Sequence, residues 1–359
     1  MTDGPEIRPR NLCPIMRTRD ELADHFRWQA EWCHRLGSPL YGGLLERIAD
    51  DIDVVWPVLA DDTGGARSSF IALRFMGAVH RLVLEGRAPV LADYYPSAGG
   101  TAKGSTVWEA FRHAVVENAD ELVRSSRRSV QTNEVGRSAA LVGGFLEVAR
   151  GTDLPLRILE IGTSAGLNLR WDHFRYEARG QTWGDPSSPV RLCDFNSERP
   201  LPFDVEARVT DRAGCDAMAL DPTTRDGLLT LTSYTWPDQH DRLRRLRAAV
   251  EVAGRVPARV ERSDAADWLE RRLAAPSPGS ATVVFHSIFW PYVSDEGRAR
   301  IRKTLERAGD AAGADWALAW LRMEPAGDHA SVRLKMWPGG DDREVAQSGY
   351  HGAHVRWLL

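Results

Sequence analysis

From Leu154 onward, short apolar runs alternate with amphipathic helical stretches, and this alternation is the strongest constraint the sequence carries. Strands separated by helices run parallel, and a parallel sheet needs apolar cover on both faces. The runs "LRILEI" (156–161), "EARVT" (206–210), "ARVER" (258–262), "ATVVFHS" (281–287) and "WALAWLRM" (316–323) predict the strands. "DQHDRLRRLRAAVEVA" (238–253), "DAADWLERRLA" (264–274) and "DEGRARIRKTLERAG" (295–309) predict helices between them. Beyond residue 323 the helical period stops, and "ASVRLKMWP", "GGDD" and "HVRWLL" predict a closing antiparallel hairpin. The expected architecture is α/β: a Rossmann-like, doubly wound sheet with that hairpin at its C-terminal end.

Residues 1–150 read differently, as an all-α N-terminal domain ahead of an α/β domain over 151–359. Thr18 followed three places on by Glu21 is a capping-box pattern, and Leu22, Phe26, Ala30 and Cys33 then fall on one face before Gly37. Ser68 to Gly86 and Ser105 to Ser126 each predict a helix opened by serine, the first closed by Gly86. "LADYYPSAGGTAKG" between them predicts a structured loop, and a last helix is expected from Asn133, as its cap, to Arg150.

The stretch "RILEIGTSAG" (157–166) sets an apolar strand against a turn of glycines and hydroxyl residues, with Glu160 inside the apolar run. In doubly wound sheets the first strand-to-helix turn is where main chain approaches a ligand, and Gly162 and Gly166 permit that approach. The amides opening the expected helix "AGLNLRW" would point at the ligand. The turn lacks the Gly-Lys-Ser/Thr ending of a phosphate-binding loop, and Ser164 and Leu167 stand where a nicotinamide-dinucleotide fingerprint needs glycine.

"EIGTSAG" resembles motif I of the class I S-adenosylmethionine-dependent methyltransferases, with Ser164 in place of the middle glycine. The resemblance implies that Glu160, Gly162, Thr163, Ser164 and Gly166 line the methionine and ribose part of that cofactor. It also implies an acidic residue after the second strand for the ribose hydroxyls. Asp211 and Asp216 are both available, with Asp216 preferred because "GCD" matches the usual arrangement. Asp264 and Ala265 fit the acidic-small pair expected beside the adenine, and Asp264 also suits a helix N-cap. His286, at the end of the fourth strand, is either a general base near the reacting methyl or a buried structural histidine. Glu324 ends the next strand and joins it as a catalytic candidate, with Arg322 as an alternative partner for its carboxylate. Trp290 and Tyr292 are candidate walls for a sulfonium.

The chain as a whole resembles a large uncharacterised bacterial family, DUF2332, through "DYYPSAGG", "QTNEVGR", "LEIGTSAGLNLRWDHF", "WPDQHDRL" and "YHGAHVRWL". On this reading Tyr95, Gln131, Asn133, Glu134, Arg137 and His351 join Trp290 and Tyr292 as substrate-side candidates, with the helical region covering the strand ends.

A formal charge of -4 gives no attraction to nucleic acid or anionic lipid. No apolar window is long enough to span a bilayer and no signal-like segment opens the chain, so a cytoplasmic protein is expected. Cys13, Cys33, Cys193 and Cys215 have neither metal-ligand nor disulfide spacing, so reduced thiols and no metal site are expected. The expected function is S-adenosylmethionine-dependent methylation of a small molecule. The rival expectation is a non-catalytic nucleoside-binding or sensing module on the same fold.

Overall fold

The structure, a computed structural model, describes residues 18–61, 70–104 and 106–359. In chain order the helices are α1 (Arg19–Arg35), α2 (Pro39–Asp50), α3 (Trp56–Leu59), α4 (Ile71–Leu84), α5 (Pro89–Ala92), α6 (Val107–Glu117), α7 (Ala119–Ser125), α8 (Arg137–Thr152), α9 (Arg225–Ser233), α10 (His240–Arg255), α11 (Ala265–Arg272) and α12 (Asp295–Asp310). The strands are β1 (Leu156–Ile161), β2 (Arg175–Ala178), β3 (Gln181–Gly184), β4 (Arg191–Leu192), β5 (Val209–Asp216), β6 (Arg259–Arg262), β7 (Ser280–Ser287), β8 (Trp316–Ala326), β9 (His329–Trp337), β10 (Arg343–Ser348) and β11 (Arg356–Trp357).

Two compact units form. One comprises Asn133–Thr223 with Arg245–Leu359; the other comprises the described residues up to Thr132 together with Thr224–Arg244. The division differs from a single cut at residue 150: α8 belongs with the sheet, and α9 with the start of α10 belongs with the helices.

In the helical unit, α1 opens on the expected capping box. The Glu21 amide donates to Thr18 Oγ1 at 3.2 Å, and the Thr18 amide donates to Glu21 Oε2 at 3.1 Å. Leu22, Phe26, Ala30 and Cys33 are buried against Leu44, Leu45 and Ile48. The Ser68 opening lies outside the described residues, as does Ser105. The helix expected from Ser105 to Ser126 is broken at Asn118 (φ -114°, ψ 22°), whose amide and Nδ2 both donate to the Ala114 carbonyl, at 3.2 and 2.9 Å, at the end of α6. The later segment is bound in by polar contacts. Asp238 accepts from Ser38 Oγ at 2.6 Å and from the Leu40 amide at 2.9 Å, capping α2 from a distant part of the sequence. Gln239 Nε2 donates to the Leu36 carbonyl at 2.6 Å.

In the α/β unit the main sheet has the order β11-β10-β9-β8-β7-β1-β5-β6. β6, β5, β1, β7 and β8 are parallel, while β9, β10 and β11 continue antiparallel. Every residue of β7 is buried, as a central strand covered on both faces requires. Alternation along the strands sorts side chains to two faces. Leu159, Val284, Leu318 and Trp320 pack with Trp268, Leu269, Ile301 and Leu305 of α11 and α12. On the opposite face Phe285 meets Phe145 of α8 edge-on, and Leu321 closes on Gly144, where an added Cβ would lie 2.4 Å from its Cδ1.

The second strand is displaced from expectation. β5 covers 209–216 rather than 206–210, because its register with β1 pairs Ile161 with Cys215 and carries the strand through polar residues. The segment "AGLNLRW" is not an α-helix start but a 3-10 helix over Leu167–His173, with a non-helical Arg170. The crossover from β1 to β5 instead carries a small sheet ordered β3-β2-β4, which the sequence reading did not anticipate. The C-terminal antiparallel part begins with a β8–β9 hairpin around Gly327 and Asp328, then adds β10 and β11.

Removing the Asp238 carboxylate should leave buried Ser38 and the first turn of α2 without their acceptor. Asp238→Ala is expected to lower stability to urea unfolding by about 2 kcal/mol. Thr18→Ala, at an exposed cap, is expected to cost about 1 kcal/mol.

Candidate functional site

The strand order reverses at β1. From β1 the sheet continues through β5 and β6 on one side and through β7 and β8 on the other, so the ends of β1 and β7 form a topological switch point. There the chain turns through three left-handed residues: Gly162 (φ 69°), Ser164 (φ 54°) and Gly166 (φ 70°). A non-glycine residue is held in that region only where its neighbours fix it. The Ser164 amide donates to Asp216 Oδ2 at 2.9 Å, and its carbonyl accepts from the Leu220 amide at 3.1 Å. The Gly162 and Thr163 amides both donate to the Cys215 carbonyl, at 2.9 and 3.1 Å. The turn is thus fastened to the end of β5.

Glu160 lies in β1 just before the turn and is 2% exposed. Its carboxyl accepts a hydrogen bond from Thr163 Oγ1. Burial pushes its pKa up to about 8, outweighing the Thr163 hydroxyl and the Arg170 guanidinium, which both favour the charged form. Glu160 is therefore mainly a neutral acid at pH 7. Arg170 sits beneath the turn, donating to the Gly166 carbonyl at 2.6 Å and the Val256 carbonyl at 3.0 Å, and burial lowers its pKa to about 10.

The two aspartates left open by the sequence separate clearly. Asp211 is the third residue of β5, aligned with Arg157 and ion-paired to its Nε at 3.5 Å, at the opposite end of the strand from the turn. Asp216 ends the strand, and its carboxylate accepts from the Ser164 amide and, at 2.8 Å, from the Met218 amide. Asp264 Oδ1 caps α11, accepting from the Ala266 and Asp267 amides at 2.9 and 3.1 Å, and Ala265 is the first residue of that helix. A shallow cavity of about 390 Å³ is lined by Thr210, Asp211, Arg212, Pro257, Ala258 and Arg259, on the N-terminal side of β5 and β6. It lies away from the switch point.

His286 and Glu324 do come together. His286 is fully buried, its Nδ1 is 2.7 Å from Glu324 Oε1, and Trp320 Nε1 donates to its Nε2 at 3.1 Å. An indole nitrogen can only donate, so Nε2 must be the acceptor and Nδ1 carries the proton toward Glu324. Both ring nitrogens are engaged, which leaves no lone pair for a substrate proton. Glu324 Oε1 also accepts from the Phe289 amide at 2.9 Å and the Trp290 amide at 3.2 Å. Arg322 pairs with Asp342 rather than with Glu324. The Trp290 ring lies 4.5 Å from that of His286, tilted by 36°, whereas Tyr292 is exposed.

The "QTNEVGR" block meets the turn as structure. Asn133 does not cap α8; its Oδ1 accepts from the Leu167 amide at 2.8 Å, which withdraws that amide from any ligand. Glu134 accepts from the Gly136 amide through its carboxylate and from Asn168 Nδ2 through its carbonyl. Arg137 donates to the Ser287 carbonyl at 3.1 Å and the Tyr350 carbonyl at 3.2 Å. Gly136 lies against the His351 backbone, where a Cβ would stand 2.3 Å from the carbonyl oxygen. Tyr95 and Gln131 belong to the helical unit. Tyr95 is a fully buried core residue beside Tyr41 and His80, which removes it as a substrate contact in this conformation.

Three residues went unremarked in the sequence: Phe289, whose ring covers Gly162, and Asn168 and Arg170, which brace the turn from below. Arg170, four residues after Gly166, was the one with a local signal. Among the described residues no group of acidic, histidine or cysteine side chains could hold a metal ion, and no helix is long and apolar enough to cross a membrane. Cys33, Cys193 and Cys215 are free thiols; Cys13 lies outside the described residues.

These features define an α/β protein with a left-handed turn at its switch point. Residues 23–357 match the family described as "Uncharacterized protein conserved in bacteria (DUF2332)", and the chain belongs to that family. No curated protein and no solved structure matches the chain.

The burial of Glu160 has a pH signature. A carboxyl whose pKa is higher folded than unfolded stabilises the fold most below its unfolded value near 4.5 and loses that stabilisation as pH rises through about 8. Thermal unfolding midpoints should fall between pH 5 and pH 8, and Glu160→Gln should flatten that fall. Parallel profiles for the two proteins would show that Glu160 is ionised in the folded state.

Proposed function

We propose that this chain binds S-adenosylmethionine along the Gly162–Gly166 turn and methylates a small-molecule acceptor. The observation carrying the reading is the joint placement of a left-handed turn at the switch point and carboxyl groups at successive parallel strand ends: Glu160, Asp216 and, just after β6, Asp264. The residues fit such a ligand. Gly162 presents a bare α-carbon against which the ring of Phe289 lies. Asp216 keeps acceptor capacity on both oxygens for vicinal hydroxyls after taking its two amides. Asp264 and Ala265 offer the adenine a small residue and a carboxylate already fixed by its capping role.

When bound, the cofactor supplies a methyl group on a cationic sulfur. The protein's task is orientation and exclusion of water. Glu160 answers the α-ammonium: a nearby cation lowers its pKa, so the neutral acid of the free protein ionises as the ligand arrives. His286 serves this site by positioning, since both of its ring nitrogens are engaged by protein partners, and Glu324 does so by holding that imidazole and the amides of Phe289 and Trp290. The engagement of both His286 nitrogens also favours a second reading, a module that binds the nucleoside without turnover. Turnover over a panel of hydroxyl, amine and carbon acceptors separates the two.

Calorimetry with S-adenosylmethionine and S-adenosylhomocysteine in buffers of differing ionisation enthalpy tests the binding. Micromolar affinity is expected at pH 7 with release of about one proton, and affinity should rise from pH 6 to pH 8. Glu160→Gln should bind more weakly and release none. Absence of heat and of any thermal shift in folded protein would refute the cofactor assignment.

A further inference from the structure

Building on that site, we infer that Ile288–Tyr292 is a plug over the turn and that Phe289 must swing away before a nucleoside can lie on Gly162. The first ground is steric. A Cβ on Gly162 would stand 2.1 Å from Phe289 Cδ2 and 2.7 Å from Cε2, so the ring already rests on the main chain that the ligand needs. The second is strain. Ile288 has φ 49°, and a β-branched residue in the left-handed region is a conformation that surrounding contacts must impose.

Those contacts form a discrete clamp. The Ile288 amide donates to the Met323 carbonyl at 2.7 Å, and Glu324 Oε1 takes the Phe289 and Trp290 amides. Arg298 holds the Trp290 carbonyl through Nε at 3.1 Å and Nη2 at 2.6 Å. The clamp seizes backbone, whereas the plugging side chain is held only by packing. Phe289 and Trp290 are half-buried, unlike the wholly buried β7 they follow, and Tyr292 beyond them is exposed. A ring in this setting can turn out about its side-chain bonds without breaking the sheet, and where the clamp also yields, release of Ile288 from its left-handed conformation favours the open form. Glu324 is then a positioning residue: through the amides of 289 and 290 it sets how often the turn is covered.

Two measurements on the full chain test this. Stopped-flow tryptophan fluorescence follows the binding of S-adenosylhomocysteine, with Trp290, next to Phe289 in the plug, as reporter. Hydrogen exchange then reports residues 160–166 in the absence of ligand. In the wild type the observed binding rate should level off as ligand rises, limited by opening. In Phe289→Ala it should stay linear, with affinity raised about fivefold or more because no ring is displaced. Exchange at 160–166 should quicken about tenfold in Phe289→Ala and also in Glu324→Gln, which loosens the clamp without touching the turn. Phe289→Leu, a milder change, covers the case in which the alanine variant does not fold. Linear rates, equal affinities and equal exchange in all proteins would overturn the plug while leaving the cofactor reading in place. Faster exchange in the variants with no binding by any protein would keep the plug and refute the cofactor. Unchanged exchange with no binding would refute both.

Discussion

Two acceptors at the end of β5 hold this site together: the Cys215 carbonyl, which takes the amides of Gly162 and Thr163, and the Asp216 carboxylate, which takes the amide of Ser164. They oblige the chain leaving β1 to bend left-handed where it would otherwise run on into a helix. The other site contacts accommodate that bend. Asn133 takes up the Leu167 amide, Arg170 reaches back to the Gly166 carbonyl, and the segment after the turn becomes a 3-10 helix. Glu160 is drawn into the interior because the strand that carries it must pair on both sides, with β5 and with β7.

The carboxyl groups of the site differ in their surroundings. Glu160 is buried with one hydroxyl partner and holds its proton near neutrality. Asp216 is half-buried and partnered by backbone amides, and Asp264 is exposed and occupied in capping. Glu324 gathers the His286 imidazole and two amides, and the Trp320 indole closes the other side of the imidazole. On the proposed reading the first of these groups responds to an arriving charge and the next two fix polar edges of the ligand; the last holds the loop after β7 in place.

Much of the fold was legible in the sequence. β1, β7 and β8 are mainly apolar runs interrupted by a few polar residues, among them Glu160, His286 and Glu324, and α1 and α11 open on capping residues that act as such here. The sequence also marked the turn and Glu160. What it did not show depends on contacts between distant segments. β5 was misplaced because half of it is polar and only its register with β1 makes it a strand. The expected helix breaks at Asn118, where the amide and Nδ2 share the Ala114 carbonyl, and the segment after Gly166 is a 3-10 helix whose first amide is taken by Asn133 of a distant segment. The sequence leaves His286 as either a general base or a buried structural histidine, and the engagement of its two nitrogens by Glu324 and Trp320 of β8 favours the second. Phe289 over Gly162 joins segments with no common pattern, so nothing local announced it. Of the motif blocks shared with the family, "QTNEVGR", "LEIGTSAGLNLRWDHF" and "YHGAHVRWL" meet around the turn, while "DYYPSAGG" and "WPDQHDRL" serve the helical unit.

The most direct test of the central claim is a crystal structure of the full chain grown with S-adenosylhomocysteine. The account predicts nucleoside density lying on Gly162 to Gly166, with ribose hydroxyls at Asp216, adenine beside Asp264 and Ala265, and the Phe289 ring displaced. Density for the ligand elsewhere, or none at saturating concentration with Phe289 still seated on Gly162, would contradict it.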